Sequence, residues 1–309
     1  MALTSLFPFL RPVPLEGLSV AVTGGAGGLG RAVATEFSSH GAKVALGDLV
    51  EADAVAVAAE VGEHATGYTV DVSDESSYSR FLDAAEEQNG PLDILVHAAG
   101  VDWMGSFVDG SEEISAREVA VNLMGPVNGA RQALRRMLPR RRGHIVIVSS
   151  MSGRIPQPGS AVYAATKYGA VGLTETLAME NRGSGVHFSL VHPGYMETNM
   201  TLGTRRPSLL VPAATAEECG RDIRVAVQHR RFNVWSPSSG RIAAYLGPLV
   251  GRRIRDAAVR ITGSGKIADN VNNATRDTYY RKVFGGSLLR GAATSNRSRD
   301  KRVSHGSNH

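Results

Sequence analysis

In the run GSAVYAATKYGA, Tyr163 and Lys167 stand four residues apart, so on a helix they share a face. A phenol titrates near 10 and is a poor base at neutral pH. An ammonium one turn away favours the ionised form and lowers that pKa. So assisted, the phenol can take a proton from an alcohol or return one to a forming alkoxide. The pair alone is weak, because tyrosine and lysine at this spacing arise by chance in about every second chain of this length at average composition. Ser150, at the end of the apolar run HIVIVSS and 13 residues before the tyrosine, adds a hydroxyl that can hold a substrate oxygen.

The elements that must position these groups are legible in the apolar periodicity. SVAVTGG (19–25), KVALGDL (43–49), ATGYTVDV (65–72), LDILVHAAG (92–100), HIVIVSS (144–150) and VHFSLVHPG (186–194) read as strands. Between them lie helical patterns: GRAVATEFSSHG, EADAVAVAAEVG, DESSYSRFLDAAEEQNG capped by Ser73 or Asp74, two helices over 112–138, and a long one over 161–182. Strands apolar on both faces, alternating with amphipathic helices, predict an α/β fold with a doubly wound parallel sheet. Ligands of such sheets bind beyond the strands' C-terminal ends.

Thr23-Gly24-Gly25-Ala26-Gly27-Gly28-Leu29-Gly30 falls between the first strand and first helix, where this fold cradles phosphates. Gly24 permits the turn, Gly28 lets backbone approach a pyrophosphate, and Gly30 lets helix pack on strand. Asp48 ends the second strand, where a carboxylate can accept from both adenosine ribose hydroxyls and would repel a 2′-phosphate. Arg31 follows the last glycine and is expected to point away. NAD is therefore favoured over NADP.

These motifs, in this order, resemble the short-chain dehydrogenase/reductase family over residues 17–235. The glycine loop has the family's T-G-x-x-x-G-x-G form, and its serine, tyrosine and lysine fall on Ser150, Tyr163 and Lys167. The family's helix asparagine falls on Asn122 in VNLMG, and its loop after the sixth strand on Pro193-Gly194-Tyr195-Met196-Glu197-Thr198. The resemblance implies an NAD-dependent oxidoreductase acting on a secondary alcohol or its ketone, with Asn122, Ser150, Tyr163 and Lys167 as catalytic set. It also implies that Lys167 bonds the nicotinamide ribose and that Asn122 holds a water relaying protons to it. Further cofactor contacts carried over are Leu29 in the loop, Asp71 and Val72 at the adenine, and Ala99 and Gly100 at the ribose. Pro193 and Gly194 are carried over to the loop under the nicotinamide, and the Met196 backbone and Thr198 hydroxyl to its carboxamide or to the pyrophosphate. One departure is His97-Ala98-Ala99-Gly100 where the family writes an asparagine at Ala98; some rigidity between central strands should be lost, and His97 reads as structural.

Trp103, Met104, Ser150 and Leu202 are expected in the substrate pocket, with Phe107, Leu209 and Leu210 nearby, so the substrate should be apolar. Arg205 and Arg206 read as solvated. Small residues along 161–172 predict a helix that pairs across a homodimer or homotetramer. The chain divides into an N-terminal arm (1–16), the catalytic domain (17–235), a basic amphipathic extension (236–285) and a tail expected to be disordered (286–309).

Charge is uneven: residues 1–220 carry 16 Lys/Arg against 24 Asp/Glu, and residues 221–309 carry 18 against 5. Two short helices are expected over 236–261, their apolar stripe opposed by arginines. This piece either closes over the pocket, packs on a partner subunit, or lies on a membrane surface through residues 236–262. No aromatics interleave with the basic tail, which argues against nucleic acid. No metal site is read. Cys219, the one cysteine, excludes an internal disulfide, fits a reducing compartment and reads as a buried helix residue. The N-terminus lacks a basic n-region and cleavage site, and no apolar stretch reaches the roughly 20 residues of a spanning helix. A soluble cytoplasmic protein, at most peripheral to a membrane, is expected. Two other functions stay open: a non-enzymatic dinucleotide sensor or scaffold, and a membrane- or nucleic-acid-associated protein acting through its basic third.

Overall fold

Neighbouring residues of a strand point to opposite faces of its sheet, and here both faces are buried. In the computed structural model, which describes residues 12–204, 211–246, 250–262 and 273–285, β1 (Ser19–Thr23) is buried at every position. Val20 and Val22 pack toward one layer of helices and Ala21 toward the other. The further strands are β2 (Lys43–Asp48), β3 (Ala65–Thr69), β4 (Ile94–His97), β5 (Gly143–Val148), β6 (Val186–Pro193) and β7 (Asn233–Ser236). All pair in parallel, in the order β3-β2-β1-β4-β5-β6-β7. The expected doubly wound sheet is present.

One layer contains α1 (Gly28–Ser38), α2 (Glu51–Val61) and α7 (Ala216–Gln228), whose Leu29, Val33, Phe37, Ile223 and Val227 cover Val22, Val44, Val96 and Val146. Phe37 is fully buried there, a side chain whose removal from water contributes about 1.5–3 kcal/mol. The other layer contains α3 (Glu75–Asn89), α4 (Glu112–Val119), α5 (Gly125–Met137) and α6 (Ala161–Glu180). Tyr78, Phe81, Ala133, Met137 and Ala170 pack there on Ala45, Leu95, Ile145 and Ile147. Asp74 caps α3 by accepting from the Ser76 amide at 2.8 Å. Cys219 is fully buried on α7, and burial pushes its thiol up to about 12, so it is inert packing.

After β3 the chain returns to place β4 on the other side of β1. The crevice at this reversal, beyond the C-terminal ends of β1 and β4, is where such sheets bind ligands. Between α4 and α5, residues Ala120–Met124 slip into one π turn. Pro126 has no N–H to give the Asn122 carbonyl in α-helical register, which favours the slip.

Among the described residues, three helices lie beyond β7: α8 (Gly240–Leu246), α9 (Arg252–Thr262) and α10 (Asn273–Phe284). The first two match the expected pair. The extension is not amphipathic surface throughout, because α10 buries Tyr280 and Phe284 in the core of the second layer. Of the expected N-terminal arm, Leu15 is buried and the Val13 amide bonds the Gln228 carbonyl at 2.8 Å. The expected tail over 286–309 and the residues Arg205, Arg206, Leu209 and Leu210 lie outside the described residues.

Candidate active site

The glycine loop has the backbone its residue types demand. Gly24 takes φ +68°, and a Cβ there would stand 2.8 Å from the Ala99 backbone. A Cβ on Gly30 would lie 2.1 Å from the Gly24 carbonyl oxygen, so α1 can start this close to β1 only without one. The α1 cap residue is Gly27, with no side-chain cap bond. The first N–H groups of the helix therefore face the crevice with its positive dipole end, a ready anion site.

Asp48 closes the loop from the side: Oδ2 accepts from the Ala26 amide at 3.0 Å and Oδ1 from the Leu49 amide at 2.9 Å. Arg31 turns away, pairing with Glu60 at 2.6 Å. Asp71 is more occupied than expected, accepting from the Ser73 hydroxyl (2.6 Å) and amide (3.0 Å) and from Arg117 (3.2 Å). Burial works to raise its pKa, but these bonds and the Arg117 charge outweigh it and hold the carboxyl below its ordinary range. Arg117, on α4, lines the cavity and has no counterpart among the expected site residues. Only its partnership with Asp71, 46 residues away, reveals it.

Tyr163 and Lys167 share the inner face of α6 and both are buried. Lys167 Nζ lies 5.5 Å from the centre of the Tyr163 ring and donates to the Val148 carbonyl at 3.1 Å. The Ser150 hydroxyl accepts from the Ser152 amide at 3.0 Å and lines the same cavity as the Tyr163 phenol. The expected lowering of the phenol's pKa is not what the protein alone produces. Burial raises it, Asp102 and Glu118 add to the rise, and the Ser150 hydroxyl opposes it. Lys167 is itself pulled down to about 8 by burial, against the pull of Asp102.

Asn122 sits in the π turn and spends its carboxamide on Val101, donating to its carbonyl at 2.7 Å and accepting from its amide at 2.8 Å. A Cβ on Gly100 would come within 3.3 Å of Asn122 Oδ1 and 3.4 Å of Lys167 Nζ. Glycine at 100 thus lets both groups close on the same point.

Two buried carboxyls lie behind the set. Asp102 is pushed up to about 6 by burial, which Arg276, Ser160 and Lys167 oppose. Its Oδ2 accepts from the Ser160 hydroxyl at 3.4 Å, and its Oδ1 has no hydrogen-bond partner among the described residues. Glu118 is pushed up to about 8 by burial, reinforced by Asp102, although it accepts from the Trp103 amide at 2.9 Å.

Beside Ala98, the neighbouring His97 ties the central strands together. His97 Nδ1 lies 3.2 Å from the Thr23 hydroxyl and 3.2 Å from the Tyr78 hydroxyl, and Thr23 and His97 are register partners of β1 and β4. Burial, reinforced by the Lys167 charge, lowers His97 to about 3, so it stays neutral and structural, in keeping with the sequence.

One cavity of about 1460 Å³ joins these parts, larger than the roughly 300–1,000 Å³ of a pocket for one small ligand. Gly24, Gly28, Leu29, Gly30, Asp48, Asp71, Val72, Ala99, Gly100, Tyr163, Lys167, Pro193, Gly194, Met196 and Thr198 all line it. Thr198 faces Gly28, its methyl 3.1 Å from where a Cβ would be. Thr201, also absent from the expected set, orders that loop by accepting from the Thr198 amide (3.0 Å) and donating to the Met196 carbonyl (2.6 Å). Ser150, Met104 and Leu202 line the substrate end. Trp103 does not: its ring packs over Gly105 and Gly110 beside a separate small hollow. Phe107 is likewise turned out, 68% exposed. Two glycines give the indole a flat bed, so it turns from the cavity.

Sheet topology, glycine cradle and a serine–tyrosine–lysine wall together define a nicotinamide-dinucleotide-binding oxidoreductase of the Rossmann type. A family model described as short chain dehydrogenase matches residues 19–208. Oxidoreductase UcpA of Escherichia coli strain K12 is 35% identical over 198 residues, 63% of this chain and 75% of that protein. A short chain dehydrogenase/reductase from Burkholderia phymatum, solved in complex with NAD, superposes with a TM-score of 0.68 at 26% identity, covering 77% of this chain and 96% of that one. The 3-ketoacyl-(acyl-carrier-protein) reductase of Brucella melitensis, complexed with NADH, gives 0.65 at 25% identity, covering 73% and 99%. The chain belongs to the short-chain dehydrogenase/reductase family.

Proposed function

We propose that the protein interconverts a secondary alcohol and its ketone using NAD, with Asn122, Ser150, Tyr163 and Lys167 as the working set. The observation that carries this reading is that Ser150, Tyr163 and Lys167 line one cavity, with Lys167 Nζ 5.5 Å from the centre of the Tyr163 ring. When bound, the nicotinamide ring supplies C4 as hydride donor or acceptor. Tyr163, kept protonated by burial, gives its phenol proton to the alkoxide oxygen in reduction. In oxidation the phenol must first ionise, and the Lys167 ammonium over its ring works in that direction. Ser150 donates to the substrate oxygen and fixes its place. Asn122 holds Val101 and so the start of the loop that carries Asp102.

NAD rather than NADP is favoured by Asp48, whose charge opposes a 2′-phosphate, and by Arg31, which is engaged with Glu60. An apolar substrate is favoured by Met104, Met151, Ile155, Met200 and Leu202 along the wall. Ala165, Tyr168, Gly172 and Met179 leave an exposed face on α6, which we assign to pairing with a second copy. A cytoplasmic setting rests on the single cysteine.

The test is titration of the purified protein with NADH and NADPH by fluorescence, then turnover of a panel of secondary alcohols by wild type and Tyr163→Phe. NADH binding with alcohol oxidation lost in the variant supports the reading. NADH binding without turnover of any alcohol leaves a dinucleotide sensor, and absence of binding overturns the cofactor and the mechanism together.

A second reading has its own observation. Ile242, Tyr245, Leu246, Ile254 and Ile261 are more than half exposed on α8 and α9, beside exposed Arg252, Arg253 and Arg260, and Leu246 and Ile254 reach the cavity mouth. A face of this kind suits an anionic lipid surface that delivers an apolar substrate. Salt-sensitive cosedimentation with anionic vesicles, lost in Ile254→Glu/Ile261→Glu, checks it; no cosedimentation at low salt removes it.

A further inference from the structure

Arg276 on α10 is fully buried, and among the described residues it forms no ion pair. The Asp102 carboxyl feels its charge without forming an ion pair with it, and a buried guanidinium is costly unless its donors are met by acceptors. Here the two Nη groups are met by main-chain carbonyls from two separate loops, while Nε is buried without a hydrogen-bond partner among the described residues. Nη1 donates to Met200 O at 2.7 Å and Leu202 O at 3.2 Å, in the loop after β6. Nη2 donates to Asp102 O at 3.1 Å, in the loop after β4. The rings of Tyr279 and Tyr280 lie 5.2 and 4.7 Å from the guanidinium carbon, an attractive contact for a desolvated cation.

The same two tyrosines grip the first loop again. The Tyr279 hydroxyl accepts from the Asp102 amide at 3.1 Å. The Tyr280 hydroxyl accepts from the Met104 amide at 3.3 Å and donates to its carbonyl at 3.5 Å. Asp102 in turn accepts from Ser160, the residue that immediately precedes α6, three positions before Tyr163. A continuous set of contacts therefore runs from α10, through both loops of the substrate wall, to the start of the helix that carries the phenol.

We propose that Arg276 is a positioning residue for the substrate: it locks the loops after β4 and β6 into one wall and fixes how that wall faces Tyr163. This rests on the alcohol–ketone reading above and adds the element that shapes its substrate end. The family match ends at residue 208, so α10 is a feature of this chain beyond that match. The glycine cradle lies at the other end of the cavity, which separates the two binding events. Substrate parameters depend on Arg276 far more than nucleotide affinity does.

The experiment compares wild type with Arg276→Met, Arg276→Lys and the double variant Tyr279→Phe/Tyr280→Phe. The readouts are NADH affinity, KM and kcat for the best alcohol of the panel, and amide exchange of residues 102–104 and 200–202. Arg276→Met is expected to raise KM by about tenfold or more while NADH affinity stays within about twofold. Arg276→Lys, which keeps the charge but not the fork, should recover part of the loss. The double variant keeps both rings and removes only hydroxyls; it should raise KM severalfold and speed exchange at Asp102 and Met104. Unchanged KM and unchanged exchange in the double variant overturn the proposal even if Arg276→Met fails to fold. A fall in NADH affinity parallel to the rise in KM overturns it too, by showing general loosening. Should wild type turn over no alcohol or ketone, the functional reading fails, while loop exchange in the variants still decides the latch.

Discussion

Lys167 stands over the face of the Tyr163 ring, 5.5 Å from its centre, and anchors itself on the Val148 carbonyl rather than on the phenol oxygen. Its charge therefore reaches the phenol through space, and it survives only while the ammonium does. Burial has brought that limit down to about pH 8 in the protein without nucleotide. Below that pH the ammonium is present and can also donate to a bound ribose; above it the donor loses its charge. NADH affinity measured across pH 6–10 should hold up to about 8 and then weaken. Lys167→Met should lose that pH limb and bind about 10–150-fold more weakly at pH 7, the worth of one charged hydrogen bond. A variant that keeps the wild-type pH profile would remove Lys167 from nucleotide binding.

The cofactor preference turns on Asp48. Its carboxylate is fixed by the Ala26 and Leu49 amides, so it cannot swing aside to admit a 2′-phosphate. Replacing it with a small neutral residue removes the repulsion without building an attraction. Asp48→Ser should therefore raise NADPH affinity relative to NADH by about tenfold or more, about 1.4 kcal/mol. Asp48→Arg should go further, by offering a fork to the phosphate. Competitive titration of both nucleotides reads the ratio directly, and an unmoved ratio places the discrimination elsewhere.

Local spacing carries most of the site into view. The glycine loop, Asp48, Ser150, Tyr163 and Lys167 each sit at an offset that the strand and helix periods alone bring to one end of the sheet. What escapes depends on partners distant in sequence. Arg117 is marked out only by Asp71, and His97 finds its strand-tying role only through Thr23 and Tyr78. The size of Trp103 suggests a pocket residue, whereas Gly105 and Gly110 decide its direction. The last helix escapes because NATRDTYYRKVF has no clean apolar stripe; its inner face is led by a buried arginine that an outward-polar pattern puts in solvent. β7 is hidden by its four residues, and its Trp235 is fixed by stacking on His192 at 4.1 Å.

The close start of α1 gives a sharp structural test. A Cβ on Gly30 would meet backbone, the Gly24 oxygen at 2.1 Å, and backbone cannot turn away as a side chain can. Gly30→Ala must shift the helix start or the loop, and the loop supplies the phosphate cradle. NADH affinity should fall by at least about tenfold, with a stability loss of about 1–3 kcal/mol as for other overpacked sites. Gly251, whose Cβ would meet nothing within 4 Å, is the control: Gly251→Ala should leave NADH binding untouched. Equal behaviour of the two variants would contradict the packing.

Glu118 makes the fold's stability depend on pH in an unusual direction. Its carboxyl is buried behind the active site and titrates at about 8 rather than near 4.5, chiefly because burial penalises the charge. Between those values the native state holds a proton that the unfolded chain has released. Stability is therefore full below about 4.5 as far as this group is concerned, and it drains away as pH rises toward 8. Each tenfold difference in proton affinity between the folded and unfolded chain corresponds to about 1.4 kcal/mol, so the loss over this window is of order several kcal/mol. Glu118→Gln keeps an acceptor for the Trp103 amide and has no proton to lose. Denaturant unfolding from pH 5 to 8 should show wild-type stability declining relative to the variant. Glu118→Gln, flat in this respect, should overtake wild type toward the alkaline end. Parallel curves for the two proteins would mean that Glu118 is ionised in the fold, with its charge met by a group other than the Trp103 amide.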